Sequence, residues 1–377
     1  MSSAPHDART PAYEAFVDRK TFTNLDGLRA LSIVAVLWHH TVLRLEPLPG
    51  ASRGFLGVDM FFALSGFLIV TLLLRERDRH QRISLKNFYM RRTLRIFPLY
   101  YLVVLLVGVL CFVRGGRVFD FDQFLDGLPY FLTYTSNWYE GGEQLPLAIA
   151  WSLAAEEQFY LLWPPVERYL RKLVIPILAA LLVYNQCINF AVLAPPFGLD
   201  RGAHEILQAT FTPILLGVAL AHLMHDPRGF RLVHRLLGHR GAAAGCFVAL
   251  LVVGNLPGDD NGGWHRATLQ IVMVLVIAAV VVREDGALTG ALRHRLVVRI
   301  GKVSYGLYLW HMLVMAFVRV ALKAAGLDDG DRLLHRGLLF VAVSGATWAV
   351  SELSYRLYEA RFLRLKGRFR PAAPSST

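Results

Sequence analysis

Ten apolar stretches, each of roughly twenty residues, divide this chain of 377 residues, and that pattern alone leaves few folds open. They fall near residues 25–43, 55–74, 97–113, 147–166, 173–193, 206–224, 241–256, 266–282, 303–322 and 337–355. A stretch this long crosses the hydrocarbon core of a bilayer as a helix, because a helix satisfies its own backbone where water cannot. The fourth and seventh are the weakest spans: one carries Glu156 and Glu157, the other is short. The expected fold is an all-α polytopic membrane protein, a bundle of about ten transmembrane helices. A hydrophobic content of 55% and a mean hydropathy of +0.42 exclude an ordinary soluble domain.

The net charge of +12 does not indicate a nucleic-acid partner, because the basic residues come in short bursts between apolar stretches. Ten spans put both termini on one side, and 29 of the 40 lysines and arginines then fall on that side. The opposite loops collect acids instead: Asp120, Asp122, Asp126, Glu140, Glu143, Asp259, Asp260, Asp328, Asp329 and Asp331. By the positive-inside rule both termini are cytoplasmic. Residues 1–21 read as a disordered tail without the apolar core of a signal peptide, and 366–377 as a second disordered tail that is basic and Pro/Ser-containing. Between them, residues 22–365 form one transmembrane domain whose longest loop, 114–146, is about thirty residues. Cys111, Cys187 and Cys246 lie in apolar segments with no metal-ligand spacing and read as inert thiols.

Five stretches carry polar residues where a span should be apolar. In the first, LDGLRALSIVAVLWHHT, Arg29 and His40 stand eleven positions apart, three helical turns and about 16 Å, on one face. Taken alone, Arg29 reaching headgroups and histidines marking the far interface explain this stretch equally well. The second, GVDMFFALSGFLIV, places Asp59 at a helix start, where an acid is ordinarily a stabilising first-turn residue, and gives Ser65 and Gly66 as a small-residue face. In the third, FYMRRTLRIFPLYY, Arg91, Arg92 and Arg95 cluster within one turn and suit phosphate oxygens, whether of lipid or of a substrate. The fourth, WSLAAEEQFYLLWPP, sets Glu156 on a stripe with Ser152 and Tyr160, while Glu157 points elsewhere. The fifth, SYGLYLWHMLV, holds Tyr305 and a mid-span His311 that needs a partner. The histidines at 222, 225, 234, 239, 294 and 335 read as interface residues.

This inventory fits a histidine that abstracts a proton from a hydroxyl or amine while a phosphate-bearing donor is held at the cytosolic mouth. A proton-coupled transporter or flippase of a glycan or lipid-linked glycan fits it too, and the residue pattern does not choose between them.

Taken together and in order, the five motifs resemble the membrane-bound acyltransferase 3 family over residues 22–365. The resemblance implies a ten-helix, multi-pass enzyme of the inner (cytoplasmic) membrane. It implies transfer of an acyl group, by family habit acetyl, from cytosolic acyl-coenzyme A to a hydroxyl of a glycan or glycosylated metabolite, such as surface polysaccharide, lipopolysaccharide or a macrolide. It casts His40 as general base, with Arg29 in the same channel. Arg91, Arg92 and Arg95 would hold the donor's phosphates, and Glu156 would orient the histidine or the acceptor. Asp59, Ser65, Tyr305 and His311 are further channel candidates, and no metal is implied. Two features depart from the family pattern. Ile149 and Ala150 stand where a histidine and threonine often precede WSL, and the appended hydrolase-like domain of some members does not follow residue 365.

Overall fold

The computed structural model describes residues 10–19, 21–42, 49–113, 119–139, 145–193, 201–260, 262–327 and 333–369. Among them the regular structure is entirely helical, with no strand. The chain runs α1 (Pro11–Asp18), α2 (Thr23–Val42), the single turn α3 (Pro49–Ser52), α4 (Leu56–His80) and α5 (Leu85–Val113). It continues through α6 (Phe121–Leu132), α7 (Ala150–Tyr169), α8 (Val174–Asn189), α9 (Arg201–His225), α10 (Pro227–Leu237) and α11 (Ala242–Asn255). Then follow α12 (Gly263–Val282), the turn α13 (Thr289–Leu292), α14 (Arg295–Ala324), α15 (Leu333–Ser354), a π-helical turn (Tyr355–Glu359), α16 (Ala360–Leu365) and a 3-10 turn (Lys366–Phe369).

A helix stands at each of the ten expected places. By length and apolarity five can cross a membrane: α4, α5, α12, α14 and the stretch Leu334–Phe369. A sixth is added if α10 and α11, which meet at 75°, count as one broken span. Length and composition therefore support a multi-pass membrane protein with fewer self-evident spans than the ten expected. For four of the remaining helices the shortfall has a physical source. The helices α8 and α11 are short, with 16 and 14 residues. The helices α2 and α7 spend their positions on histidine, arginine and glutamate. That expenditure is tolerable in α2 because 11 of its 20 residues are buried by neighbouring helices.

Backbone contact fixes how the central helices meet. A Cβ at Gly66 of α4 would strike the carbonyl of Ile214 on α9, and one at Gly217 of α9 would strike the carbonyl of Ala63 on α4. The two glycines thus key the same seam from both sides, as the small-residue face around Ser65 and Gly66 led us to expect. Gly301 of α14 lies against the Asp26 carbonyl of α2 in the same way. Together these seams hold α2, α4, α9 and α14 as one core.

Four sequence expectations change. The tail 1–21 is not wholly disordered: Thr10 caps α1 by accepting from the Tyr13 amide, and Pro11 occupies its first turn. Phe16 of α1 is buried against Phe230 of α10, ring centroids 5.3 Å apart. The basic segment 75–95 is mostly helix, since only residues 81–84 separate α4 from α5. The long loop 114–146 contains α6, capped by Asp120. His222 and His225 are not merely interfacial: His222 bonds the fully buried Glu167 at 2.7 Å, and His225 bonds Asp78 at 3.0 Å. Glu140, Glu143, Asp328, Asp329 and Asp331, and residues 370–377 of the second tail, lie outside the described residues.

Candidate active site

Two histidines from distant parts of the chain face each other. His40 near the end of α2 and His311 in the middle of α14 have ring centroids 4.9 Å apart. Each is pinned through Nδ1 to a carbonyl of its own helix, His40 to Val36 at 2.9 Å and His311 to Tyr308 at 2.6 Å. A carbonyl oxygen only accepts, so Nδ1 carries the proton in both rings. In the neutral imidazole Nε2 is then the basic atom. Nε2 of His311 is buried and has no hydrogen-bond partner among the described residues, whereas the His40 ring is half-buried. The His39 ring also packs edge-on against His40, centroids 5.2 Å apart, but its Nδ1 meets the Ser52 carbonyl at 3.1 Å and its other side packs on Phe55.

Below this pair lies a layer of hydroxyls around one carboxylate. The stripe Ser152, Glu156 and Tyr160 on α7 meets three other helices. Ser152 Oγ and Tyr308 Oη of α14 lie 2.6 Å apart, and both also reach the Ile149 carbonyl. Glu156 accepts hydrogen bonds from Ser65 of α4 and from Tyr160 of its own helix. The guanidinium of Arg92, on α5, stacks 3.6 Å from the centroid of the Tyr160 ring. Tyr305 is tied by its hydroxyl to the Ile96 carbonyl at 2.8 Å. Glu156 therefore has Ser65 and Tyr160 as partners, while the Val36 carbonyl orients His40.

At the Arg29 end of the bundle the charge turns positive. Arg91 is paired with Glu76 at 3.2 Å and donates to the Phe369 carbonyl at 2.7 Å. For Arg29, Arg92 and Arg95, no carboxylate lies within ion-pair distance among the described residues. Buried Nε atoms of Arg29 and Arg92 lack a hydrogen-bond partner there. Arg29 and Arg92 both act electrostatically on Arg95. This is a cluster of cations about three helical turns from the histidine pair, with lone N–H groups to offer an anion.

The family described as "Acyltransferase domain" matches residues 22–354. The chain belongs to the membrane-bound acyltransferase 3 family. Among relatives, a provisionally named O-acetyltransferase of Staphylococcus aureus (strain COL) is 29% identical over 94% of this chain and 59% of its own length. The peptidoglycan O-acetyltransferase OatA of Listeria monocytogenes is 28% identical over 90% of this chain and 56% of its own. A provisionally named peptidoglycan O-acetyltransferase of Bacillus subtilis is 29% identical over 89% and 54%. The chain thus spans a little over half the length of each. No solved structure matches it.

Within this family member, Asp59 is set apart from the polar interior just described. One nitrogen of Arg266 of α12, Nη2, lies 2.6 and 2.8 Å from its two carboxylate oxygens, and both side chains are buried. The pair joins α4 to α12. Sequence reading found Asp59 but not Arg266, since nothing along the chain links residues so far apart. It also missed Glu359 and Lys366, both within electrostatic reach of Arg95. Lys366 falls in the tail expected to be disordered, and its only signal in the sequence is the basic composition of that tail.

Proposed function

We propose that this chain is an O-acyltransferase of the cytoplasmic membrane, with ten helices crossing and both termini in the cytosol. It would take an acyl group, acetyl by family resemblance, from cytosolic acyl-coenzyme A to a hydroxyl of a glycan or glycosylated metabolite. The peptidoglycan named for two relatives is one acceptor of this chemistry. The observation that carries the reading is the His40–His311 pair, with basic Nε2 atoms, standing above Arg29, Arg92 and Arg95, which have no carboxylate at ion-pair distance among the described residues.

In this reading Arg29, Arg92 and Arg95 hold the donor's phosphates, with Arg91 at the rim. Phosphate oxygens match their fork geometry, and the burial of their N–H groups strengthens each bond. The acyl-bearing arm then extends along the bundle past Ser65, Glu156 and Tyr160 toward the histidines. His40 Nε2 accepts the proton of the acceptor hydroxyl as its oxygen attacks the thioester carbon. The tetrahedral intermediate collapses with breakage of the C–S bond. The imidazolium returns the proton to the departing thiolate, so the histidine ends neutral. His311, 4.9 Å away, holds the second basic nitrogen and packs against the His40 ring, limiting its rotation.

Washed membranes carrying the wild type or His40→Ala, given radiolabelled acetyl-coenzyme A, test this directly. Label entering a glycan or small-molecule fraction only with the wild type is the expected result. Intact acyl-coenzyme A in both samples, with an acceptor pool present, would instead indicate a carrier.

A further inference from the structure

After α15 the helix runs on without a break through the π-helical turn and lies alongside α5. Glu352 clamps the base of this segment by pairing with Arg299 at 2.7 Å and with Arg356 at 2.6 Å, and Arg299 stacks on the Tyr355 ring. The π-helical turn Tyr355–Glu359 changes the helix phase there, and the Tyr358 hydroxyl reaches the Pro98 carbonyl of α5 at 3.2 Å. Eleven residues later the Phe369 carbonyl accepts from Arg91 of α5 at 2.7 Å. Arg91, Arg95 and Pro98 form one stripe of α5 (i, i+4, i+7), about 10 Å from end to end. The segment between the two bonds therefore crosses the arginine cluster. It brings Glu359 into reach of Arg95, and Lys366 into reach of Arg29, Arg91, Arg92 and Arg95 together.

A half-buried ammonium among four guanidiniums is a poor arrangement by itself. Like charges in a partly desolvated site repel, and among the described residues Arg91 alone of the four has a carboxylate at ion-pair distance, although Glu156, Glu157 and Glu359 act electrostatically on Arg92 or Arg95. One bound polyanion satisfies all of them. Resting on the reading of this cluster as the donor-phosphate site, we propose that the C-terminal strap, Tyr355–Phe369, is the missing wall of that site and that Lys366 is a phosphate ligand. The strap already lies along α5, the anion would add to that hold, and Glu359 is within electrostatic reach of Arg95.

Binding of coenzyme A to the purified full-length protein tests the proposal without turnover. Lys366→Gln is expected to weaken binding about tenfold, the scale of one lost charge-assisted contact, while Lys366→Arg stays within about twofold of the wild type. Coenzyme A should also slow tryptic cleavage after the exposed Arg364 and Arg368 in the wild type, and much less in Lys366→Gln. Wild-type affinity in Lys366→Gln would overturn the role of the strap and leave the arginine site standing. Equal weakening in Lys366→Gln and Lys366→Arg would likewise overturn it, since charge would then not be what matters. Failure of the wild type to bind coenzyme A, or unchanged binding in Arg92→Ala, would remove the donor site itself and this inference with it.

Discussion

At the scale of single residues, the candidate chemistry rests on which imidazole nitrogen is basic. His40 and His311 each spend Nδ1 on a carbonyl, so substituting either ring removes an Nε2 base and the packing of the other. His40→Ala should abolish transfer in protein that still inserts, measured as label incorporation in membranes. His311→Ala should lower kcat by about a hundredfold with little change in donor KM, the size expected when proton handling is impaired. His39→Ala should be milder than His40→Ala, because the His39 ring packs edge-on against His40 but spends its Nδ1 on the Ser52 carbonyl, at the Phe55 side. Arg92→Ala is expected to raise the donor KM about tenfold and leave the acceptor KM unchanged, the signature of one lost phosphate contact. The eleven-residue spacing of Arg29 and His40 could be read from sequence because a helix converts spacing into a shared face. His311 could be singled out as a histidine in need of a partner. That its partner is His40 could not be read, since 271 positions separate them and helical periodicity says nothing across such a gap.

At the scale of helices, two kinds of joint hold the bundle. The first is the buried ion pair between Asp59 and Arg266. Removing one partner strands the other charge, so Asp59→Asn should cost about 3 kcal/mol in thermal unfolding of the detergent-solubilised protein. Replacing both residues by apolar ones of similar size should cost less than Asp59→Asn alone. The second joint is the glycine seam of α4 and α9. Gly217→Leu would drive a side chain into the Ala63 carbonyl, and about 3 kcal/mol of destabilisation or loss of a monodisperse protein is expected. Apolar periodicity located the helices well, because burying an apolar stretch and pairing its backbone are local demands. Fewer of them are recognisable as spans by length and composition, in part because α2 and α7 owe their tolerance of charge to neighbours that sequence does not display. Docked pieces such as α1, α6 and the strap were hidden for the same reason. Their few apolar residues, Phe16 among them, reveal an address only once Phe230 or another partner is in place.

At the scale of the whole molecule, the proposed orientation can be checked apart from the chemistry. Reporters that work only in the cytosol should be active when fused to either terminus and silent when placed in the 257–262 loop. Activity in that loop would reverse the assignment. The alternative of a carrier also makes its demand at this scale, since passing a sugar from face to face requires one group of helices to rock against another. Here the central helices meet backbone to backbone, Gly66 on Ile214, Gly217 on Ala63 and Gly301 on Asp26. Surfaces keyed that closely resist sliding, as a zip resists shear. In the proposed function such a partition would act as a fixed bulkhead, past which a small group on a slender arm is handed while both larger molecules stay in their own compartments.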